Sequence, residues 1–175
     1  MNDRALRYPI GTFNFDEPTA LEQRQLWIRQ IGDFPGRLSG LTAKLSESDL
    51  ARTYRPGGWT IRQLVHHCAD SHMNAYLRFK FALSMNAPTI MPYPEHRWAE
   101  LPEAKHGNIE MSLKLVEGLH QRWAATLENL DEIQWDMVFI HPERQKTYSL
   151  TEATGLYAWH GRHHLAHIEL ALENS

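Results

Sequence analysis

Apolar residues recur at intervals of three or four positions along four long stretches of the chain, and this period is that of an amphipathic α-helix. The stretches cover approximately residues 18–45, 60–83, 108–129 and 149–172. No segment alternates apolar and polar residues as a half-buried strand does, and there is no internal repeat. The pattern therefore predicts an all-α fold, a four-helix bundle in up-down-up-down order with long loops.

Capping and turn residues mark the expected ends of these helices. Thr60 with Gln63, and Ser149 with Glu152, have the spacing of a capping box and predict two helix starts. Pro35, followed by a glycine, is expected to kink or briefly break the first helix.

The remaining segments predict connections and an arm. Residues 8–17 mix aromatic residues with Gly and Pro and lack a helical period, which indicates an extended N-terminal arm lying on the body. Residues 86–95 predict a long connection suited to the rim of an active site, and residues 131–142 an irregular one. The apolar face predicted for the third helix consists of Met111, Leu115, Leu119, Trp123 and Leu127.

Length and composition limit the class of protein. With 175 residues, 42% of them apolar, residues 1–175 are predicted to form one domain. The net charge is −3 and the basic residues are scattered, so we expect no nucleic-acid partner. Cys68, the single cysteine, lies on an apolar stripe and predicts a buried, inert thiol in a reducing compartment. No apolar stretch is long enough to span a membrane, so we expect no membrane partner and a cytoplasmic protein.

Four of the eleven histidines lie in a run of eight consecutive residues, 160–167, inside the last predicted helix. His160, His163, His164 and His167 share an arc of roughly 100° on one helix face, which suits metal binding. The pairs His160/His164 and His163/His167 both have a spacing of four, so spacing leaves the choice between them open. A single ion also needs a ligand from a second element, and the His-His pair at residues 66–67 is the candidate. The alternative is a polar, histidine-rich face that binds no ion.

A polar seam lies beside the apolar stripe of the second helix. His67, Ser71, Asn74 and Arg78 follow one another at intervals of three or four residues, so they share a face. We expect this seam to form the far wall of a cavity, with Arg78 binding an anion and the other residues supporting the site. The simpler interpretation is a polar surface stripe.

Other residues near the histidines have simpler interpretations. His72 lies on the apolar stripe and predicts a hydrogen-bonded core histidine, while His66 faces about 100° away from His67 and is not expected to bind an ion. Asp70 is expected to be solvated or to face a dimer partner. Gly161 stands where a His-Glu-x-x-His protease motif has its glutamate, so no general base is predicted.

The sequence resembles the DinB/YfiT-like family of metal-dependent hydrolases over nearly its whole length, and the two histidine blocks are the specific part of the match. The segments that carry the resemblance are Tyr8 to Gly11, Gly57 to His67, Asp70 to Asn74, Gly155 to His160 and His163 to Ile168.

The resemblance implies a DinB-like four-helix bundle and a ligand set. In that family the second histidine of the His-His pair and an i,i+4 pair on the last helix hold the metal, and these positions are His67, His160 and His164 here. His163 is then left to contact a hydrogen-bond partner or substrate. The resemblance also implies a homodimer that hydrolyses a small-molecule substrate. Relatives in the wider superfamily transfer low-molecular-weight thiols, which implies an alternative, a bacillithiol-type thiol S-transferase acting on small electrophiles.

Three neutral imidazoles leave at least one coordination position for water or substrate, as in catalytic zinc sites. We therefore expect one divalent ion per chain, Zn²⁺ or Ni²⁺, both of which accept imidazole nitrogen. A fourth protein ligand, such as His163 or Asp70, would instead indicate a non-catalytic metal-binding protein whose ion staples two helices together.

Overall fold

The computed structural model describes residues 3–16 and 18–173. Within this part the chain forms nine helices and one two-stranded antiparallel hairpin. The elements are α1 (Asp3–Arg7), α2 (Leu21–Thr42), α3 (Glu47–Leu50), α4 (Ile61–Ser84), α5 (Glu95–Trp98), α6 (Pro102–His106), α7 (Ile109–Glu128), α8 (Glu132–Trp135), β1 (Val138–His141), β2 (Lys146–Ser149) and α9 (Leu150–Glu173).

The long helices α2, α4, α7 and α9 form a four-helix bundle, which confirms the predicted all-α fold class. α2 and α4 lie diagonally opposite each other, and each packs against both α7 and α9. The apolar side chains of the four helices face inward, as the sequence period predicts.

The predicted up-down-up-down order is wrong, because α4 and α7 run in the same direction. His66 Nδ1 lies 2.8 Å from Ser112 Oγ, and further along both helices His72 Nδ1 lies 2.7 Å from His120 Nε2. The connection over residues 85–108, which includes α5 and α6, makes this possible. It is long enough to return the chain along α4, whose 24 residues measure about 36 Å.

α2 and α9 run parallel to each other and opposite to α4 and α7, so the order is up-down-down-up. Two glycines of α9 allow this close packing. A Cβ atom at Gly155 would lie 2.9 Å from the Trp27 ring, and one at Gly161 would lie 2.8 Å from the Phe34 ring. Both distances are shorter than normal Cβ contacts, so a larger residue at either position would force the facing ring to shift, and glycine favours this close packing.

The predicted helix starts are largely as expected. Thr60 and Gln63 form a complete capping box at the start of α4. At the start of α9, Ser149 Oγ accepts a hydrogen bond from the Glu152 amide at 3.0 Å, but the Glu152 carboxylate instead pairs with Lys146. Half of the second predicted box is therefore present.

The hairpin of β1 and β2 was not predicted, since residues 131–142 were expected to be irregular. Val138 pairs with Ser149 and His141 with Lys146, and the parallel bridge between Thr89 and Ile140 attaches the hairpin to the α4–α5 connection. Four-residue strands are too short for alternation to stand out in the sequence. The hairpin closes one end of the bundle beside α9.

The core consists of two apolar clusters with a layer of histidines between them. One cluster includes Trp123 and Phe79, and the other includes Phe34 and Leu165. His72 lies between the clusters, with its ring 4.9 Å from the Phe34 ring and 6.1 Å from the Trp123 ring. The interior of the bundle is therefore polar at one level.

The predicted inner face of α7 is partly wrong. Met111 and Leu115 are exposed, with 69% and 44% of their surfaces accessible. The face that α7 buries is shifted around the helix and consists of Ile109, Val116, His120, Trp123 and Leu127.

The N-terminal segment lies on α9, as predicted for the arm, after the unpredicted short helix α1. The Tyr8 ring centre is 6.0 Å from that of His163, and the Phe13 ring centre is 6.4 Å from that of Trp159. Glu17, at the end of the predicted arm, lies outside the described residues. Within the described ranges, no helix combines the length and apolar character needed to cross a membrane.

Candidate metal centre

Three histidines converge where α4 and α9 cross. Nε2 of His160 lies 3.3 Å from Nε2 of His67 and 3.2 Å from Nε2 of His164. The spacing of four residues places His160 and His164 on one face of α9, and the antiparallel approach of α4 brings His67 against them. The structure thus brings together the three residues to which the family resemblance assigned the metal.

Burial keeps these three imidazoles neutral. His67 and His164 are buried and His160 is half-buried. Burial lowers the pKa of His67 to about 3 and lowers the pKa values of His160 and His164 well below their ordinary range, and neighbouring histidines add to the effect. A neutral imidazole has one nitrogen with a free lone pair, which is the form that binds metals.

A line of imidazoles leads from His160 into the core. His160 Nδ1 lies 3.0 Å from His72 Nε2, His72 Nδ1 lies 2.7 Å from His120 Nε2, and His120 Nδ1 lies 2.6 Å from the backbone oxygen of Ile31. The carbonyl oxygen can only accept, so His120 donates from Nδ1. Since burial also lowers the pKa values of His72 and His120, each neutral ring has one N–H and each donates toward Ile31. His160 therefore has its proton on Nδ1, and its Nε2 lone pair faces the other two imidazoles.

Pro35 leaves the last acceptor of this line available. In an α-helix the carbonyl of residue 31 accepts the amide N–H of residue 35, and proline has no such N–H. The freed Ile31 oxygen accepts from His120 instead. The predicted break of the first helix at Pro35 does not occur, because α2 continues through it.

A second, shorter line orients His164. Its Nδ1 lies 3.4 Å from His167 Nδ1, and His167 Nε2 lies 3.2 Å from the backbone oxygen of Arg7. His167 donates to this carbonyl, so its Nδ1 accepts from His164 by the same reasoning. The Nε2 lone pair of His164 therefore also points toward the three-histidine group.

These residues fit a divalent ion. Two lone pairs face each other across the 3.2 Å between His160 Nε2 and His164 Nε2, and a cation between them relieves their repulsion. Nitrogens that bind one zinc ion at about 2.0–2.1 Å in a tetrahedron are about 3.3 Å apart, which matches the separations here. Among the described residues this group has three members, all of them histidines, so it leaves room for a further ligand.

The histidines of α9 also form a second close group, His163 with His164 and His167. His163 stacks on Trp159 with ring centres 4.5 Å apart, and within the described part of the chain its Nδ1 is buried without a hydrogen-bond partner. The sequence left open the choice between the pairs His160/His164 and His163/His167. Both pairs lie at the site, but only His160/His164 lies against His67.

The polar seam of α4 reaches the site only in part. Ser71 and Arg78 are buried and line a cavity together with His160. The Asn74 side chain donates to the backbone oxygen of Asp70 at 2.9 Å, within its own helix. Its support of the site stays a prediction.

The simpler interpretations of nearby residues agree with the structure in most cases. His66 contacts Ser112 on the far side of α4, and Cys68 is fully buried. Asp70 is half-buried rather than solvated, and burial, with the negative charge of Glu103 adding to it, raises its pKa to about 6. Asp70 is not a member of the three-histidine group.

Two adjoining cavities open at the site. The metal-side cavity, about 440 Å³, is lined by the three histidines together with His163, His167 and Trp59. The hairpin cavity, about 680 Å³, is lined by residues of α4, α9, the α4–α5 connection and the β1–β2 hairpin. His160 and Arg144 line both cavities, so a small molecule in the hairpin cavity reaches the three histidines.

The fold and the site together define the class of protein: a four-helix bundle with a three-histidine candidate metal centre. The family model described as the DinB superfamily matches residues 30–168. The chain belongs to the DinB superfamily.

Relatives cover almost the whole chain. Proteins from Bacillus cereus (strain 03BB102) and Bacillus thuringiensis subsp. konkukian (strain 97-27) are each 49% identical over 168 residues, which is 96% of this chain and 95% of theirs. Both carry the name "Putative metal-dependent hydrolase". The structure of YfiT from Bacillus subtilis, described as "a probable metal-dependent hydrolase with an unusual four-helix bundle topology", has a TM-score of 0.93, 43% identity and 97% coverage of both chains.

Sequence reasoning anticipated Ser71 and Arg78 as cavity residues and His72 as a hydrogen-bonded core histidine, but it missed His120 and the residues of the hairpin that line the cavity. His120 is a single histidine on α7, but it shares a buried face with Val116, Trp123 and Leu127, and this periodicity was a usable signal. The contact of His167 with Arg7 joins residues 160 positions apart, so spacing could not reveal it.

Proposed function

We propose that this protein is a metal-dependent hydrolase of small molecules, with one divalent ion, Zn²⁺ or Ni²⁺, held by His67, His160 and His164. The observation that carries the proposal is the pair of Nε2 lone pairs of His160 and His164, which are turned toward each other across 3.2 Å. The names of the relatives, which mention metal-dependent hydrolysis, support the same reaction class.

The chain's own residues prepare the site for such an ion. His72 and His120 hold the His160 proton at Nδ1, and His167 does the same for His164. Because these rings are fixed by buried hydrogen bonds, their Nε2 atoms need little reorganisation when a cation binds. When bound, a divalent ion supplies a Lewis acid that polarises a carbonyl or phosphoryl oxygen and lowers the pKa of water.

The three-membered group supports an open rather than a sealed site. A structural ion has four protein ligands, whereas a catalytic one leaves a position for water or substrate. The adjoining cavities lead from the exterior to His160, so substrate and water have access to that position.

The test combines metal analysis with an activity panel. The full chain is stripped with a chelator, reloaded with Zn²⁺ or Ni²⁺, and assayed with small esters and amides. We expect about one ion per chain and hydrolysis that chelation abolishes and reloading restores, with no such activity in His67→Ala. A parallel assay with a low-molecular-weight thiol and an electrophile is informative. Thiol conjugation without any hydrolysis would overturn the hydrolase assignment in favour of a transferase.

We also propose that the chain assembles as a homodimer, as its family resemblance implies. The arm keeps apolar surface exposed, with 43% of Tyr8 and 39% of Ile10 accessible, and burial against a second copy would remove it. Light scattering at micromolar concentration should give twice the 20.4 kDa chain mass. A monomer mass would reject the dimer.

A further inference from the structure

Two arginines, Arg78 and Arg144, line the hairpin cavity. Arg78 is 9% exposed, and Arg144 lies in the turn between β1 and β2. Neither takes part in any ion pair formed among the described residues. A buried cation without a counter-charge is costly, so the buried Arg78 favours binding of an anion in the cavity, and the exposed Arg144 adds positive charge there.

The contacts of Arg78 leave part of its guanidinium available. Its Nη1 donates to the Tyr157 hydroxyl at 3.0 Å, and its Nε is buried with no hydrogen-bond partner among residues 3–16 and 18–173. The tyrosine hydroxyl is neutral, so it orients the guanidinium without compensating the positive charge. An arginine held in this way presents two or more parallel N–H groups, which match the oxygens of a carboxylate or phosphate.

Arg144 adds a second positive charge to the hairpin cavity. Its Nη1 lies 3.4 Å from the Tyr148 hydroxyl, and both residues line the hairpin cavity. His141 is lowered in pKa first by burial and then by the charges of Arg78 and Arg144 together, which places both cations near one imidazole. Glu95 and Glu143 also line the cavity and, like Arg144, are exposed, and the charge of Glu95 acts on Arg144, so Arg78 is the buried cation of the pair.

We propose that Arg78 and Arg144 bind an oxyanion, a carboxylate or a phosphate, of the substrate. The inference rests on the proposed function, because it places this anion beside the three-histidine site. Tyr157, whose hydroxyl orients Arg78, has its ring centre 5.9 Å from that of His160, and all three side chains line the same cavity, so an anion on Arg78 lies on the same side of the cavity as the metal-facing imidazole. The preferred substrate is therefore a small anionic ester or amide whose charged group is a few bonds from the bond that is cleaved.

Binding of simple anions tests this site without any assay of hydrolysis. Isothermal titration calorimetry of the full chain is carried out with succinate and, separately, with inorganic phosphate, in chelator and again after zinc loading. We expect one of the two anions to bind in both states. Arg78→Gln and Arg144→Gln should each weaken it by about tenfold to a hundredfold, the usual effect of losing a charge-assisted hydrogen bond.

Matched variants make the result specific. Arg37→Gln removes the same charge from an exposed position of α2 and should leave anion binding unchanged. Because Arg144 is exposed, its variant should fold even if the Arg78 variant does not. Binding that vanishes in chelator, or that is unchanged in both cavity variants, would show that the anion binds elsewhere and would overturn the proposal.

An activity comparison separates this proposal from the proposed hydrolase function. The zinc-loaded protein should cleave 4-nitrophenyl succinate with a higher kcat/KM than the neutral 4-nitrophenyl butyrate, and Arg144→Gln should remove this preference mainly through KM. If neither ester is cleaved while arginine-dependent anion binding persists, the hydrolase proposal fails and the anion site stands. If both esters are cleaved equally and no anion binds, the hydrolase proposal stands and the anion site fails.

Discussion

His72 Nε2 lies 3.0 Å from His160 Nδ1, so a fully buried histidine determines which nitrogen of His160 faces the metal-side cavity. A neutral His160 with its proton on Nε2 would point an N–H at the two other imidazoles and could not bind a cation there. The contact with His72, continued by His120 and the Ile31 carbonyl, excludes that tautomer.

Replacing His72 with phenylalanine should therefore weaken metal binding without removing a metal-facing residue. Phenylalanine keeps an aromatic ring at this buried position, but His160 loses the acceptor for its Nδ1 proton. We expect the dissociation constant for zinc to rise by about tenfold to a hundredfold, the usual effect of losing a residue that orients a metal ligand. Competition with a chromogenic chelator measures this constant directly.

His66→Gln is the matched control for this variant. His66 is also buried on α4 but contacts Ser112 and the Gly107 carbonyl, away from the three histidines. Its replacement should leave zinc affinity unchanged. Wild-type affinity in His72→Phe, together with a normal fold, would show that His160 does not need this partner.

Two alanine variants can show which pair of α9, His160/His164 or His163/His167, binds the ion. His164 lies against His160, and His163 stacks on Trp159 with its Nδ1 unpaired. We expect His164→Ala to lose its metal during gel filtration and His163→Ala to retain about one ion per chain, as measured by mass spectrometry of the eluted metal. Equal loss in both variants would mean that the ion is bound by the second histidine group instead.

The buried histidine layer predicts acid sensitivity. Burial lowers the pKa of His120 to about 4, well below its ordinary value near 6.5, while its bond to the Ile31 carbonyl opposes the shift. A group whose pKa is lower in the folded state stabilises the fold above its unfolded pKa. That stability is lost as the pH falls from about 6.5 to 4, by at most about 1.4 kcal/mol per pH unit for each such histidine.

Urea unfolding followed by tryptophan fluorescence, in chelator at pH 7.5, 6.0 and 5.0, tests this dependence. Glutamine can keep a donor and an acceptor at position 120 but does not titrate in this range. The His120→Gln variant should therefore lose less free energy of unfolding than the wild type between pH 7.5 and 5.0. Parallel curves for the two proteins would show that His120 is not the titrating group.

The sequence predicted the features that depend on local spacing. Helical periodicity identified the four long helices, and the Thr60–Gln63 spacing identified the start of α4. The four-residue spacing on α9 identified a metal-binding face, but it could not choose between two equal pairs. That choice depends on His67, which is 93 residues away from His160, and it came from the family resemblance rather than from spacing.

The features that were missed depend on contacts between distant segments. The direction of α7 follows from the path of residues 85–108, and no local sequence pattern predicts that path. His120 became part of the site only through its contacts with His72 and with the Ile31 carbonyl that Pro35 leaves free. Pro35 predicts a kink or a brief break because sequence alone shows the missing N–H but not the distant group that uses the carbonyl.

Gly161 links helix packing to the histidine site, and its replacement by alanine gives the last prediction. The new Cβ atom would lie 2.8 Å from Cδ2 of Phe34, a ring that is 2% exposed and cannot move into solvent. Phe34 packs against His72 and His120, with ring centres 4.9 and 5.2 Å away. We expect Gly161→Ala to lower the free energy of unfolding by about 1–3 kcal/mol through overpacking and to weaken zinc binding in parallel.

Gly36→Ala provides the comparison that isolates the contact with Phe34. Gly36 is also a helical glycine, but it is exposed on α2 and a Cβ atom there would meet no heavy atom within 4 Å. Because alanine favours helix more than glycine does, this variant should be as stable as the wild type or more stable by up to about 1 kcal/mol. Its zinc affinity should not change. If Gly161→Ala were equally harmless in urea unfolding and zinc competition, α2 and α9 could separate without disturbing His72, and the tight packing of Phe34 would not be what holds the line of histidines in place.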